Sequence, residues 1–433
     1  MRPKNPFNPT APIDPEYFAG RHHEIEIILR ALNQTRHGSQ QNVLVTGERG
    51  IGKSSLALLA RYIAQEPRGD WQTDCKFATG YYTLDDKDTV GDCCQGAIEQ
   101  LNRTIRPSLT DRFFEKIRQL DCSIKLNFWF GSTEIEPRGK VRSDTDAAKI
   151  RKDFVKILEA LWDELKGSGY NGILIVLDEL NKIKTKENLG AFFKKVSESL
   201  VSDGYRKTMI LAVGLPWLEQ KIAEDDLSAV RVFEHVALDP MRPSESQEVV
   251  DKALAGTGVS ISDDARARLV DWAGGYPYFL QQMCFDSFEA DTDQLIDVAD
   301  VNSGVSRSLT QFDRMFFGRV LREVEGKNYQ KIIEALAPED SGMPVGVLQR
   351  ESGVKGVGQY LPKLLKDGVI TSPKKVSTNW HPRRLLYTSS WSSAWASSAK
   401  KRAWTPTLAP RRLGRPYFPP NAFNGASHPT GPG

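Results

Sequence analysis

The stretch Gly47-Glu48-Arg49-Gly50-Ile51-Gly52-Lys53-Ser54-Ser55 fits the pattern G-x-x-x-x-G-K-[ST]. It lies between an apolar run, Asn42 to Thr46, and a helical pattern, Leu56 to Ile63, so the motif falls in a strand-loop-helix setting. Glycines in such a loop let backbone N–H groups turn inward on a triphosphate at a helix N-terminus. Lys53 adds positive charge near the β- and γ-phosphates, and Ser54 can set its hydroxyl on Mg²⁺. The loop as a whole, Gly47 through Ser55, therefore predicts a purine nucleoside triphosphate as ligand.

A second segment decides whether that match is chance. Gly172-Ile173-Leu174-Ile175-Val176-Leu177-Asp178-Glu179 reads as a strand buried on both faces that ends in two carboxylates. Alone, it is an ordinary core strand with a capping acid. Downstream of a phosphate loop, it supplies the other half of a metal site. Asp178 would hold Mg²⁺, directly or through water, and Glu179 would orient the attacking water. No N-K-x-D guanine reader stands near the position where one is expected, so ATP is the favoured nucleotide.

The 433 residues have the apolar and charged fractions of a globular protein and are enough for two to four domains. No run of eighteen apolar residues occurs, which argues against a membrane partner, and Pro3, Pro6, Pro9, Pro12 and Pro15 stand where a signal peptide needs an apolar stretch. A cytoplasmic location is expected. Five cysteines, Cys75, Cys93, Cys94, Cys122 and Cys284, show no C-x-x-C pairing and predict reduced thiols without a zinc site. The net charge of +3 hides an asymmetry: residues 373–433 carry ten Lys/Arg and no Asp/Glu, leaving the rest of the chain at about −7.

The pattern predicts an α/β fold: a parallel sheet of P-loop NTPase type, a helical lid and a C-terminal winged-helix-like domain. Residues 1–16, rich in Pro and Asn, read as an extended arm along the surface. The core spans 17–240. It has a helix with Ile25, Ile28, Leu29 and Leu32 on one stripe, then strands at 41–46, 76–84, 172–178, 208–213 and 232–238 and helices at 53–65, 89–103, 146–166 and 189–201. Alternation over 122–136 suggests a β-hairpin inserted in the core fold, whose plain reading is a surface decoration. Past Pro240 the strands stop, and three helices, 244–255, 262–273 and 277–288, make a lid over 241–312 with Ser244 and Ser262 as N-caps. Residues 313–372 read as three short helices followed by a strand, either a winged helix or a protein-interaction triplet. Its third helix, 357–367, would bury Leu361, Leu364 and Leu365 and present Gln359, Tyr360, Lys363 and Lys366, to DNA in the first reading.

In this order the parts resemble the AAA+/STAND group of P-loop ATPases, and within it bacterial proteins with an origin-recognition-like ATPase domain, over residues 5–372. Besides the two motifs above, Phe18-Ala19-Gly20-Arg21 looks like the F-x-G-R box that precedes the P-loop and lies near the base. Gly214-Leu215-Pro216 follows the fourth strand, and Ser228 to Arg231 precedes the fifth. Gly274-Gly275-Tyr276-Pro277 resembles the G-x-P turn of the lid. The resemblance implies nucleotide contacts for Phe18, Gly20, Arg21, Tyr276 and Pro277, and an arginine finger at Arg231 reaching a neighbouring subunit's γ-phosphate in a nucleotide-dependent homo-oligomer. Arg21 and Arg231 read also as surface ion-pairing residues, and Gly275-Tyr276-Pro277 as a plain turn. Two departures stand out. The fourth strand ends Ala212-Val213-Gly214, without an Asn or Thr to position water, and the lid helix has Gln281 and Gln282 but no arginine. Slow turnover follows, which suits a switch that signals to a protein effector better than a motor.

Residues 373–433 change character, with Trp380, Trp391, Trp395 and Trp404 among Ser, Arg and Pro. They read either as a frame-shifted or recombined end, disordered in solution, or as a basic aromatic tail for nucleic acid.

Overall fold

A computed structural model describes residues 3–65, 73–86, 88–119, 145–183, 188–312, 327–336, 343–366, 370–371 and 379–382. The chain divides into two compact units, Met1–Met315 and Phe316–Gly433. The predicted hairpin at 122–136 and Cys122 lie outside the described residues.

The first unit is built on five parallel strands in the order β2-β3-β4-β1-β5, with β1 at Asn42–Gly47, β2 at Phe77–Thr83, β3 at Gly172–Asp178, β4 at Thr208–Gly214 and β5 at Phe233–Leu238. Every residue of β1, β3 and β4 is buried, which is why these strands read as continuous apolar runs. Side chains alternate between the two faces. Val43, Val45, Leu174, Val176, Leu211 and Val213 pack under α1 (His22–Arg36) and α2 (Lys53–Gln65). Leu44, Ile173, Ile175, Leu177, Ile210 and Ala212 pack on the other face, under α3 (Val90–Thr104), α5 (Thr145–Leu165) and α6 (Leu189–Ser202). The buried amide of Asn42 fixes the register: its Nδ2 donates to Ser197 Oγ at 3.0 Å and Val232 O at 3.2 Å, and its Oδ1 accepts from Ile210 N at 2.9 Å.

Two helices of this core escaped the sequence reading: α4 (Pro107–Gln119), which buries Leu109, Phe113 and Ile117, and α7 (Trp217–Asp225). The lid holds four helices, not three: α8 (Pro243–Leu254), α9 (Asp263–Ala273), α10 (Pro277–Ala290) and α11 (Val298–Phe312). Nor do strands stop at Pro240, for β6 (Ser260–Ile261) and β7 (Leu295–Ile296) pair in parallel. Ser262 caps α9 by accepting from Ala265 N. Ser244 caps nothing, because Pro243 takes the first helical position and moves the cap back to Arg242.

The N-terminal arm does not lie loosely on the surface. Phe7 is buried and meets Phe288 edge-on, Asn5 Nδ2 donates to Phe285 O and Glu289 Oε1, and Asn8 N donates to Gln281 Oε1. Further along, Ile13 N donates to Ser55 Oγ, so the arm runs from the lid helix α10 to the phosphate-loop helix α2.

In the second unit, helices at Lys327–Leu336 and Val345–Ser352 and a 3-10 turn at Val357–Gln359 precede a helix at Leu361–Lys366. The single helix predicted over 357–367 is broken because Pro362 lacks an N–H and is tolerated only in a helix's first turn. Three short strands, β8 (Met343–Pro344), β9 (Ile370–Thr371) and β10 (Asn379–Pro382), form an antiparallel sheet with β10 in the middle. β10 lies within the stretch read as a disordered tail, so ordered backbone continues past 372 and at least those four residues belong to this unit. Leu361 and Leu364 are buried, while the Lys363 ammonium sits 5.4 Å over the Tyr329 ring.

Candidate functional site

Strand order sets the geometry. β4 lies between β1 and β3, so the phosphate loop after β1 and the acidic tip of β3 stand two strand spacings apart, roughly 10 Å, at the same edge of the sheet. A nucleotide's terminal phosphate and a metal fit that gap. A cavity of about 300 Å³ opens there, lined among others by Arg49, Gly50, Ile51, Gly52, Lys53, Ser54, Ser55 and Glu179.

The loop keeps its cradle shape through Gly50 (φ +76°) and Gly52 (φ +97°), left-handed conformations that side chains resist. Lys53 opens α2, is buried, and donates from Nζ to Glu48 O at 2.8 Å across the loop. Burial pushes its ammonium below the usual lysine range, opposed by the Glu179 and Asp178 carboxylates. Those two acids are thus close enough to act on Lys53. Gly47 sits behind the loop against Ile51 and Leu238, where it shapes the turn instead of facing the cavity.

Asp178 is buried at the end of β3, its Oδ2 accepting from Tyr81 Oη at 2.7 Å and its Oδ1 from Glu179 N at 2.8 Å. The Ser54 hydroxyl lies near enough to the Tyr81 phenol to act on it, so one ring neighbours both residues assigned to the metal. Burial, and then the Asp178 charge, hold that phenol protonated far above the usual tyrosine range. Among the described residues no cluster of three or more His, Cys, Asp or Glu forms a ready metal cage. A buried carboxylate beside a serine hydroxyl suits Mg²⁺ arriving with nucleotide phosphates, because that ion keeps waters and takes few protein oxygens. Sequence reasoning missed Tyr81. Its signal, a polar ring at the register position beside Val176, appears only once β2 is paired with β3.

Glu179 has φ +57° and ψ +34°, a left-handed conformation that costs a non-glycine residue about 1–2 kcal/mol. The bend breaks the strand and leaves the carboxylate lining the cavity.

The opposite wall comes from the arm and the lid. Pro9, Ala11, Pro12, Ile13, Phe18, Met241, Val249 and Pro277 give it an apolar lining. Tyr276 points elsewhere than expected: its hydroxyl donates to Glu48 Oε2 at 2.8 Å, tying lid to phosphate loop. Two residues on, Tyr278 lines the cavity, and its N–H donates to Gly50 O at 3.2 Å. Arg21 borders the cavity, but its guanidinium is held by Asp239 O at 2.6 Å, Ile51 O at 3.1 Å and Glu24 Oε1 at 3.2 Å. Gly20 faces Met241 and Glu245, not the cavity. Arg231 is not brought to this site. It is exposed, two residues before β5, whose first residue Phe233 pairs with Asn42 at the far edge of the sheet.

Comparison with known proteins places this architecture. A family model for an AAA ATPase domain matches residues 17–199. The fold is similar to that of the ORC2 protein of Aeropyrum pernix, solved as ADPNP and ADP complexes (15% identity, TM-score 0.57, 89% of this chain and 94% of that one). It is also similar to a Walker-type ATPase of Pyrococcus abyssi (17% identity, TM-score 0.51, 84% and 93%). In sequence, the chain is 22% identical over 380 residues to an uncharacterized HTH-type transcriptional regulator of Methanocaldococcus jannaschii, covering 83% of this chain and 82% of that protein. Among the described residues no helix is long and apolar enough to cross a membrane. With its phosphate loop, acid-tipped strand and helical lid around one cavity, the chain carries an AAA ATPase domain of the P-loop class, in an origin-recognition-like fold.

Proposed function

We propose that the protein is an ATP-driven conformational switch. Mg·ATP binds between sheet and lid, Lys53 and the loop N–H groups take the phosphates, Ser54 and Asp178 hold the metal, and Glu179 draws a proton from the attacking water. The metal's part is to neutralise charge on the phosphates. The base sits against the apolar wall of arm and lid. One observation carries this reading: the lid touches the phosphate loop directly, through Tyr278 N to Gly50 O and Tyr276 Oη to Glu48 Oε2, so what the loop holds decides how the lid sits. Loss of the γ-phosphate would loosen the lid, and the C-terminal unit would report the change to a protein effector.

The test is a pair of substitutions read by ATP binding and by single-turnover hydrolysis. Lys53→Ala should lose ATP binding, while Glu179→Gln should bind ATP with near wild-type affinity and hydrolyse it roughly 100-fold or more slowly. Tight ATP binding by Lys53→Ala would sink the site assignment.

A second reading, a nucleotide-dependent DNA-binding regulator, is favoured by one observation, the similarity to a relative named as an HTH-type regulator. It places Lys363 and Lys366 on DNA. Duplex affinity should then fall with salt and with loss of both lysines, and an affinity indifferent to salt removes this reading.

A further inference from the structure

β4 runs between β1 and β3, so its tip points at the space between the phosphate loop and Glu179. A polar side chain there would be well placed to hold the attacking water or its base, yet the strand ends Ala212-Val213-Gly214 and offers none. The structure fills the gap from next door. After Glu179 the chain makes a 3-10 turn, Leu180–Lys182, and the turn sends Asn181 back toward β4. Asn181 Oδ1 accepts from Leu215 N at 3.1 Å, and Asn181 Nδ2 donates to Glu179 Oε2 at 3.4 Å. Gly214 makes room for this: a Cβ there would stand 3.2 Å from Asn181 Oδ1 and 2.4 Å from Leu218 Cδ2. The bare strand end and the neighbouring amide are therefore one arrangement.

We propose that Asn181 is the positioning residue of Glu179, an amide supplied by the turn after β3 that ties the carboxylate to the tip of β4. The inference rests on Glu179 being the base. An Asn can make both bonds because it carries an acceptor and a donor on one planar group. The long donor bond to Glu179 is of the kind that tightens when substrate arrives. Through it, displacement at the end of β4 moves the base, and a well-placed β4 holds the base toward the terminal phosphate.

The discriminating variant is Asn181→Asp, nearly identical in shape, which keeps the acceptor for Leu215 N and removes the donor to Glu179. Because Asn181→Asp also sets a like charge beside Glu179, it is read together with Asn181→Ala, which adds none: a purely structural residue predicts that Asn181→Ala, stripped of the partner for Leu215 N, loses melting temperature but keeps its single-turnover rate. The positioning role predicts that both variants lose single-turnover rate by on the order of 10- to 100-fold with ATP affinity changed less than about two-fold. It also predicts that Asn181→Asp keeps the wild-type melting temperature and the hydrogen-exchange protection of the Leu215 amide. In a Glu179→Gln background, Asn181→Asp should slow hydrolysis no further. Wild-type hydrolysis by Asn181→Asp overturns the proposal, as does a full additional loss in the double variant. Glu179→Gln alone separates the two assignments: wild-type turnover there condemns the base itself, whereas a slow Glu179→Gln beside a fast Asn181→Asp condemns only the positioning role.

Discussion

The two walls of the cavity are made in opposite ways. The phosphate wall is local: nine consecutive residues, two left-handed glycines and a helix start, with one acidic strand tip facing them. The base wall is assembled from distant pieces, the arm around Pro9 to Ile13, the turn at Phe18, and lid residues from Met241 to Gln281. The first is charged and fixed by covalent neighbours. The second is apolar and held by a few long-range bonds such as Asn8 N to Gln281 Oε1 and Ile13 N to Ser55 Oγ. Damage to the first wall should therefore act on binding at once, while damage to the second should act by degrees, through how well arm and lid stay docked.

The largest expected effect sharpens that contrast. Lys53→Met should weaken Mg·ATP binding by roughly 100-fold or more, measured by calorimetry, since a phosphate-facing charge is lost with no shape compensation. Next comes the arm. Phe7→Ala removes its buried anchor and should weaken ATP binding about ten-fold, with proteolysis of the first fifteen residues accelerating in parallel. If affinity is unchanged while the arm is cleaved, the base wall does not include it. Tyr276→Phe should lower affinity by roughly three-fold, the share of one half-exposed hydrogen bond to a carboxylate, and its effect should disappear when Glu48→Ala, Tyr276→Phe is compared with Glu48→Ala alone, where no acceptor is left.

The smallest effect has the opposite sign. Burial lowers the Lys53 pKa, so the charged form costs folding energy wherever lysine is protonated in both folded and unfolded states, that is, below its folded pKa. The penalty fades as pH rises through the folded pKa toward the ordinary 10.5. Nucleotide-free Lys53→Met should accordingly melt about 1–3 °C above wild type at neutral pH, with the gap closing in alkali. A gap independent of pH would assign the change to packing instead.

The same contrast explains what could be read from sequence. β1, the phosphate loop, α2 and β3 were legible nearly to the residue, because apolar period, glycine punctuation and a fixed spacing coincide there. The arm's extended course was legible but its docking was not, because Pro and Asn suggest solvent and its single anchor, Phe7, carries no period. α11 escaped for a packing reason: its buried face includes Gly304 and Ser308 beside Val301, Val305 and Phe312, and the Gly304 backbone lies against Ser287, so the stripe is small and polar where a stripe is sought. β8 and β9 are two residues long, too short for any alternation to register. Asn181 and Tyr81 were invisible for a different cause, since each has a partner that only the fold brings near, Leu215 N for Asn181 and the Asp178 carboxylate for Tyr81.

Arg21 has a mechanical consequence. One buried guanidinium grips the carbonyl of Ile51 at the loop's apex and that of Asp239, where the last core strand hands over to the lid. Glu245, on the first lid helix, accepts from the same residue's backbone N–H. Any pivot of the lid about residues 239–242 must drag the Ile51 carbonyl along or tear a desolvated charge from its acceptors, so this one side chain works as a drive rod between joint and cradle.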